Sequence, residues 1–335
     1  MGDPYGLTME FGFDDQQLAM RDAARSLCED RFSLASISDR EGAPADSAAW
    51  TGLDELGILG MLAEGSGTGM VEAALVFEQL GTSLVSGPVL WSTLASSLLP
   101  AGVDRTSLVT GIELTEGQCG PFVIEHLAES DVLVLLGRTS VEFVPVADLE
   151  PVEVAASLDP LTPVAVVETL PEGTPLGGRD LADRLRRQGA VLASAMLGGV
   201  ARGALDVART YSLEREQFGV PIGSFQAIKH LLADMYVRVE LAQAATYAAA
   251  AIVDGCDDDD VDQAVASAKL LAGEAAHANG RSAIQVLGGM GFTWEMLPHY
   301  YLKRAWMLDQ AFGTMGTQAE RLGTLLAQQF QEARS

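Results

Sequence analysis

Apolar side chains recur at mixed three- and four-residue intervals over residues 14–32, through Leu18, Ala19, Leu27 and Phe32, with Asp14 or Asp15 placed to cap the start. That spacing lays one apolar stripe along a helix. A second, short helix is expected over 47–57, where Trp50, Leu53 and Leu56 share a face. The run Gly65-Ser66-Gly67-Thr68-Gly69 reads as a turn. Val71 to Leu80 reads as helical, and a longer apolar segment runs from Gly87 to Leu99, closing a helical block near Pro100.

The period changes between residues 105 and 177. Short β-branched runs, such as Phe122-Val123-Ile124, Asp131 to Leu136, Val141 to Val146 and Val164 to Val167, are separated by Gly, Pro and Asp. They read as strands, roughly six of them, of a small sheet or barrel. From Leu181 the helical pattern returns, with long helices expected over 181–214, 225–253 and 262–286 and shorter ones over 295–311 and 316–333. Long helices with short connections make an antiparallel bundle. The fold expected is mainly α with a small β domain: helices over 1–104, the β domain over 105–178, and a helical bundle over 179–335.

Composition narrows the function. At 48% hydrophobic and 20% charged residues, the chain has the balance of a soluble globular protein. Its net charge is 21 − 46 = −25, which repels nucleic acid and anionic membrane surfaces alike. Cys28, Cys119 and Cys256 lie far apart with no CxxC pair, so neither a disulfide framework nor a zinc site is expected. Met1 to Phe13 lacks the basic-then-apolar order of a signal peptide, and no stretch has the length and flanks of a membrane span. A cytoplasmic protein is expected. Gly65–Gly69 lacks the Lys-Ser/Thr ending of a phosphate loop, and no strand leads into Gly288–Gly291. The acidic run Asp257 to Asp260 reads as a solvated loop.

Two longer motifs carry more specific information. The first is Arg215-Glu-Gln-Phe-Gly-Val-Pro-Ile-Gly-Ser-Phe-Gln226, followed by His230 and Ala233-Asp-Met235. The second is Gln285-Val-Leu-Gly-Gly-Met-Gly-Phe-Thr-Trp-Glu295. Both, with their spacing, resemble the signatures of acyl-CoA dehydrogenases. Phe13-Asp-Asp-Gln-Gln-Leu18, Leu56-Gly-Ile-Leu-Gly60 and Glu78-Gln-Leu-Gly81 extend the resemblance over most of the chain. It implies N-terminal helices, a middle β-barrel, a C-terminal four-helix bundle, and FAD bound across a subunit interface. The chemistry it implies needs a carboxylate to take the α-proton of an acyl-CoA thioester, a flavin to accept the β-hydride, and hydrogen bonds to the thioester carbonyl. CoA is itself anionic, so its site must gather basic groups locally.

The sequence departs from that pattern at the base. Phe312, in Gln310-Ala-Phe-Gly-Thr314, stands where the family's usual Glu belongs, and the alternative position on the first bundle helix falls at Gly189. The family's flavin-facing hairpin and Trp-Ile-Thr segment have no counterpart, since no Trp occurs between Trp91 and Trp294. What survives is the set that the resemblance assigns to a neighbour's FAD. Arg215 pairs with pyrophosphate, Phe218 packs beside the cofactor, Gln226 and Gln285 hydrogen-bond to it, and Gly288 and Gly289 allow close backbone approach.

The resemblance thus implies the short subunit of a heteromeric, α2β2 enzyme like those of actinobacteria, several of which act on CoA thioesters of steroid side chains. A full-length partner would carry the Glu. Two alternatives stay open here. One is a self-sufficient dehydrogenase using Asp309, Glu295 or Glu320 as a substitute base; the other is a non-enzymatic scaffold. Each motif residue also has a plainer reading: Arg215 as a surface arginine, Phe218 as core packing, Gln285 and Gly288-Gly289 as a helix stop, His230 as a structural residue on an apolar helix face. No partner is identifiable for His277 or His299.

Overall fold

A computed structural model describes residues 12–96, 98, 107–255 and 261–332. Pro100, Cys256 and the acidic run 257–260 lie outside the described residues, as does most of the segment 1–13.

The described residues begin with four α-helices: α1 (Asp15–Arg31), α2 (Ser47–Glu55), α3 (Met70–Thr82) and α4 (Val89–Ala95). Asp14 caps α1, accepting from the Gln17 backbone N–H while the Gln17 side chain accepts from Asp14's own N–H. Trp50 and Leu53 of α2 are buried as their shared face requires, whereas Leu56 is 43% exposed. The apolar segment expected from Gly87 to Leu99 forms a shorter helix, α4, because Gly87 at φ +108° and Pro88 set its start. Gly65 and Gly67, both at positive φ, make the turn ahead of α3. The α3 N-terminus receives the Asp254 carboxylate on the Met70 and Val71 N–H groups, at 2.8 and 3.2 Å. This carboxylate occupies the place a phosphate would take.

Among the described residues seven strands follow, where roughly six were expected. One sheet has the order β1 (Val109–Glu113), β3 (Val132–Leu136), β4 (Val141–Pro145) and β7 (Thr174–Gly177). The second has β2 (Phe122–Glu125), β6 (Val164–Val167) and β5 (Val152–Glu153). β1 and β3 run parallel because β2, between them in sequence, crosses to the other sheet; the remaining pairs are antiparallel. Phe122, Ile124, Leu133, Leu135 and Val144 fill the space between the sheets. The opposite side of β3, through Val132, Val134 and Leu136, packs into the N-terminal helices, which is why all five of its residues are buried.

The bundle consists of α5 (Arg179–Glu214), α6 (Gln226–Gly255), α7 (Val261–Leu287), α8 (Pro298–Gln310) and α9 (Met315–Glu332). Every residue from Gly189 to Ala201 of α5 is buried, so this stretch is apolar on all sides. By length and composition α5 could cross a membrane, but 83% of its most apolar window is covered by the fold. At its crossing with α3 two helices approach at backbone distance. A Cβ on Gly199 would collide with the Glu78 carbonyl oxygen, and one on Gly81 with that of Met196. Thr82 Oγ1 donates to the Gly199 carbonyl at 3.2 Å in the same crossing.

Candidate functional site

The first motif folds into a two-stranded hairpin, β8 (Glu216–Gln217) with β9 (Val220–Pro221), that the periodicity did not reveal. Its tip, Phe218-Gly219, has positive φ at both residues (+55° and +79°), the geometry of a type I′ turn. Gly tolerates this, but a phenylalanine there is strained. The Phe218 side chain is 93% exposed, so it is not core packing; the Phe225 ring stands edge-on to it, at 6.2 Å between centroids. Arg215 caps α5, its N–H bonded to the Tyr211 carbonyl and its own carbonyl accepting from the Ile222 N–H, both at 2.8 Å. This fixes its backbone while its exposed guanidinium makes no ion pair with any described residue. Gln226, exposed, opens α6.

The second motif ends α7. Gln285, Gly288 and Gly289 are exposed. Gly288 has φ +61°, so helix termination alone accounts for it. Gly289 differs: its φ is ordinary and a Cβ there would meet nothing within 4 Å. No neighbour in the described chain requires glycine at 289.

The helix directions bring both motifs to one end of the bundle. α5 and α7 run parallel, tied near their starts by Arg187 Nε–Asp262 Oδ1 at 2.9 Å. Farther along, Asn279 Nδ2 donates to the carbonyls of Ala201 on α5 and Met235 on α6, at 3.2 and 3.0 Å. Arg215, Phe218, Gln226, Gln285, Gly288 and Gly289 all lie beyond that node in the same direction.

Phe312 and Gly189, the two positions at which the resemblance expects a carboxylate, meet elsewhere, in the interior. Phe312 is 4% exposed, at φ +54°. Its ring rests on Gly189, where any Cβ would collide with it, and on Trp91 at 4.9 Å between centroids. Trp91 in turn covers Gly111 of β1. Around Phe312 stand residues that motif reading missed. Gln318 Nε2 donates to its carbonyl at 2.8 Å. Lys269, fully buried, donates from Nζ to the carbonyls of Asp309 and Gly313, both at 3.0 Å. Burial pulls the Lys269 ammonium down to about 8, with Asp309 pulling the other way. A lysine followed by Leu270-Leu271 inside an apolar helix was the signal available in sequence.

The candidate substitute bases stand in different settings. Asp309 is 6% exposed, stands 3.8 Å from Lys269 Nζ, and its carboxylate caps α9 through the Met315 N–H at 3.1 Å. Glu295 and Glu320 are exposed. His230, read as lying on an apolar face, is exposed, because that face of α6 is turned to the surface. His277 has a partner, the Ala305 carbonyl at 3.3 Å, and His299 packs against Trp294 at 4.6 Å and Tyr300 at 4.1 Å between centroids. No group of His, Cys, Asp and Glu among the described residues is arranged to hold a metal.

Residues 14–103 match the acyl-CoA dehydrogenase N-terminal domain and residues 178–326 the acyl-CoA dehydrogenase C-terminal domain. The chain is 35% identical to acyl-CoA dehydrogenase IpdE2 of Mycolicibacterium smegmatis, over 77% of this chain and 79% of that protein. The chain belongs to the acyl-CoA dehydrogenase family. It is also 32% identical to acyl-CoA dehydrogenase FadE34 of Mycobacterium tuberculosis, over 93% of this chain but only 48% of that protein, so it spans about half of that relative's length. The fold is that of the ChsE4–ChsE5 complex from Mycobacterium tuberculosis, with a TM-score of 0.83 at 24% identity, covering 95% of this chain and 99% of that one. The Tcur3481–Tcur3483 steroid ACAD G363A variant is similar too, with a TM-score of 0.79 at 22% identity. Within this acyl-CoA dehydrogenase fold, the Phe312 ring packs on the bare backbone of Gly189.

Proposed function

We propose that this chain is the non-catalytic subunit of a heteromeric, FAD-dependent acyl-CoA dehydrogenase, and that it completes the FAD site of a full-length catalytic partner in an α2β2 assembly. The contrast between two sets of residues carries this reading. Phe312 on Gly189 closes the place of the base, while Arg215, Phe218, Gln226, Gln285 and Gly289 stand exposed with no packing among the described residues that calls for them, beside Gly288, which ends α7. Those six fit a bound FAD as half of a site. The free guanidinium of Arg215 suits pyrophosphate, the Phe218 ring offers an apolar wall, and the open backbone at Gly289 permits close approach. FAD, when bound, supplies the hydride acceptor for α,β-dehydrogenation. This chain's part is to hold and orient it, and the partner's Glu removes the α-proton.

The similar proteins support a heteromer acting on steroid-derived substrates. One similar structure is a ChsE4–ChsE5 complex and another a steroid ACAD. FadE34 carries about as much chain again beyond the match. The substrate class proposed is a CoA thioester of a steroid side chain.

The test is co-purification with a full-length family member from the same source, followed by flavin absorbance and turnover. The complex is expected to be yellow and active, and to lose flavin when Arg215 is changed to Ala. Normal dehydrogenation by this chain alone would overturn the proposal in favour of a self-sufficient enzyme. A colourless, inactive complex would favour a scaffold.

A further inference from the structure

A polar cluster with no part in the reading above lies where α8 and the β domain meet the turn between α3 and α4. Arg304 of α8 is 4% exposed. Its Nε donates to Asp159 Oδ2 at 2.5 Å and its Nη1 to the Val85 carbonyl at 2.7 Å. Asp159, fully buried, also accepts from the Leu161 N–H at 3.1 Å and from Thr162 Oγ1 at 2.8 Å. One donor group is left over: Nη2 is buried with no hydrogen-bond partner among the described residues. Few native folds leave a buried guanidinium N–H in that condition.

Arg304 lines a cavity of about 50 Å³, together with Thr110, Glu125, His126, Thr162 and Trp91. An internal water needs roughly 10–15 Å³ of such space and two to four polar partners. Both conditions are met. We propose that this chamber is a water-binding site, in which an ordered water accepts from Arg304 Nη2 and bonds the Glu125 carboxyl, latching the bundle to the β domain.

Charge selects water over a small anion. Arg304 is neutralised by Asp159, which Arg40 also faces, and the other titratable groups lining the chamber are Glu125 and His126, with Glu129 hydrogen-bonded to His126 Nδ1. From α4, α5 and the α3–α4 turn come only Trp91, Met196 and uncharged groups. No excess positive charge invites an anion. His126 lines both this chamber and an outer cleft of about 640 Å³, so the chamber lies next to the surface.

Burial pushes the Glu125 carboxyl up, against the downward pull of His126 and Arg304. A carboxyl raised in the folded state holds its proton longer there than in the unfolded chain. The stability it contributes is present at low pH and is lost as pH rises through the folded value. Glu125→Gln keeps the shape and removes that loss.

Two measurements on the full chain, with its partner if the complex is what crystallises, decide the matter. A high-resolution crystal structure is expected to show a density peak within hydrogen-bond distance of both Arg304 Nη2 and Glu125. An empty chamber, or an anomalous bromide peak there after a halide soak, overturns the proposal. Melting temperatures over a pH series should show Glu125→Gln gaining on the wild type as pH rises; equal slopes overturn the link to Glu125. If the variant does not fold, the crystallographic result alone decides.

Discussion

Phe312 is held in the left-handed backbone region with its ring against Gly189 and Trp91. A carboxylate placed there is not expected to give this chain activity of its own. Phe312→Glu is expected to lower stability by on the order of 3–5 kcal/mol, since it buries an unpaired charge, and to yield no dehydrogenase activity from the chain alone; denaturant titration and a turnover assay check both. The two adjacent glycines separate conformation from ligand. Gly288→Ala should cost about 1 kcal/mol through its positive φ. Gly289→Ala should leave melting unchanged and still lower the flavin content of the complex. Lys269 gives a pH signature. Its folded pKa of about 8 lies below the ordinary lysine value, so the unfolded chain binds the proton more tightly at alkaline pH. Stability from this group therefore rises as pH passes from about 8 toward the lysine range. Lys269→Met should abolish that rise in melting temperature, and should also destabilise the loop at neutral pH by leaving the Asp309 and Gly313 carbonyls unpaired.

Among the elements, α5 is the axis on which the N-terminal helices and the bundle both pack, and its glycines are not equivalent. Gly199→Ala forces a Cβ into the Glu78 carbonyl and should cost roughly 1–3 kcal/mol. Gly198→Ala, with nothing within 4 Å, should stabilise by up to about 1 kcal/mol through helix propensity. Chemical denaturation of the pair measures the crossing directly. The long helices were legible because their apolar stripes repeat over many turns; α5 starts at Arg179 rather than Leu181, and α7 ends at Leu287 rather than 286. The β8–β9 hairpin was not legible, because its strands have two residues each and leave no alternation to read. The start of α8 was also misplaced. Residues 288–292 form a separate 3₁₀ turn, and Pro298 opens the helix proper. At the site, motif spacing singled out residues that the structure places at the surface, and Phe312, which it places in the interior. It could not find Lys269, Trp91 or Gln318, whose roles arise from contacts distant in sequence.

For the molecule as a whole, the surface bears a large negative charge and, at one end of the bundle, a group of uncovered aromatic side chains: Phe218, Phe292 and Trp294 at 93, 82 and 62% exposed. Phe218→Ala should leave the isolated chain as stable as before, since the ring is in water, and should weaken association with the partner; analytical ultracentrifugation of the mixed subunits reads the difference.

The hairpin tip that carries Phe218 has a mechanical consequence. A tight turn with both central residues already in their final conformation has little left to order when another surface arrives. Recognition at that point should then be close to rigid docking, with the same hairpin geometry before and after the encounter. Most of the binding free energy should survive as affinity, with little spent on folding a loop.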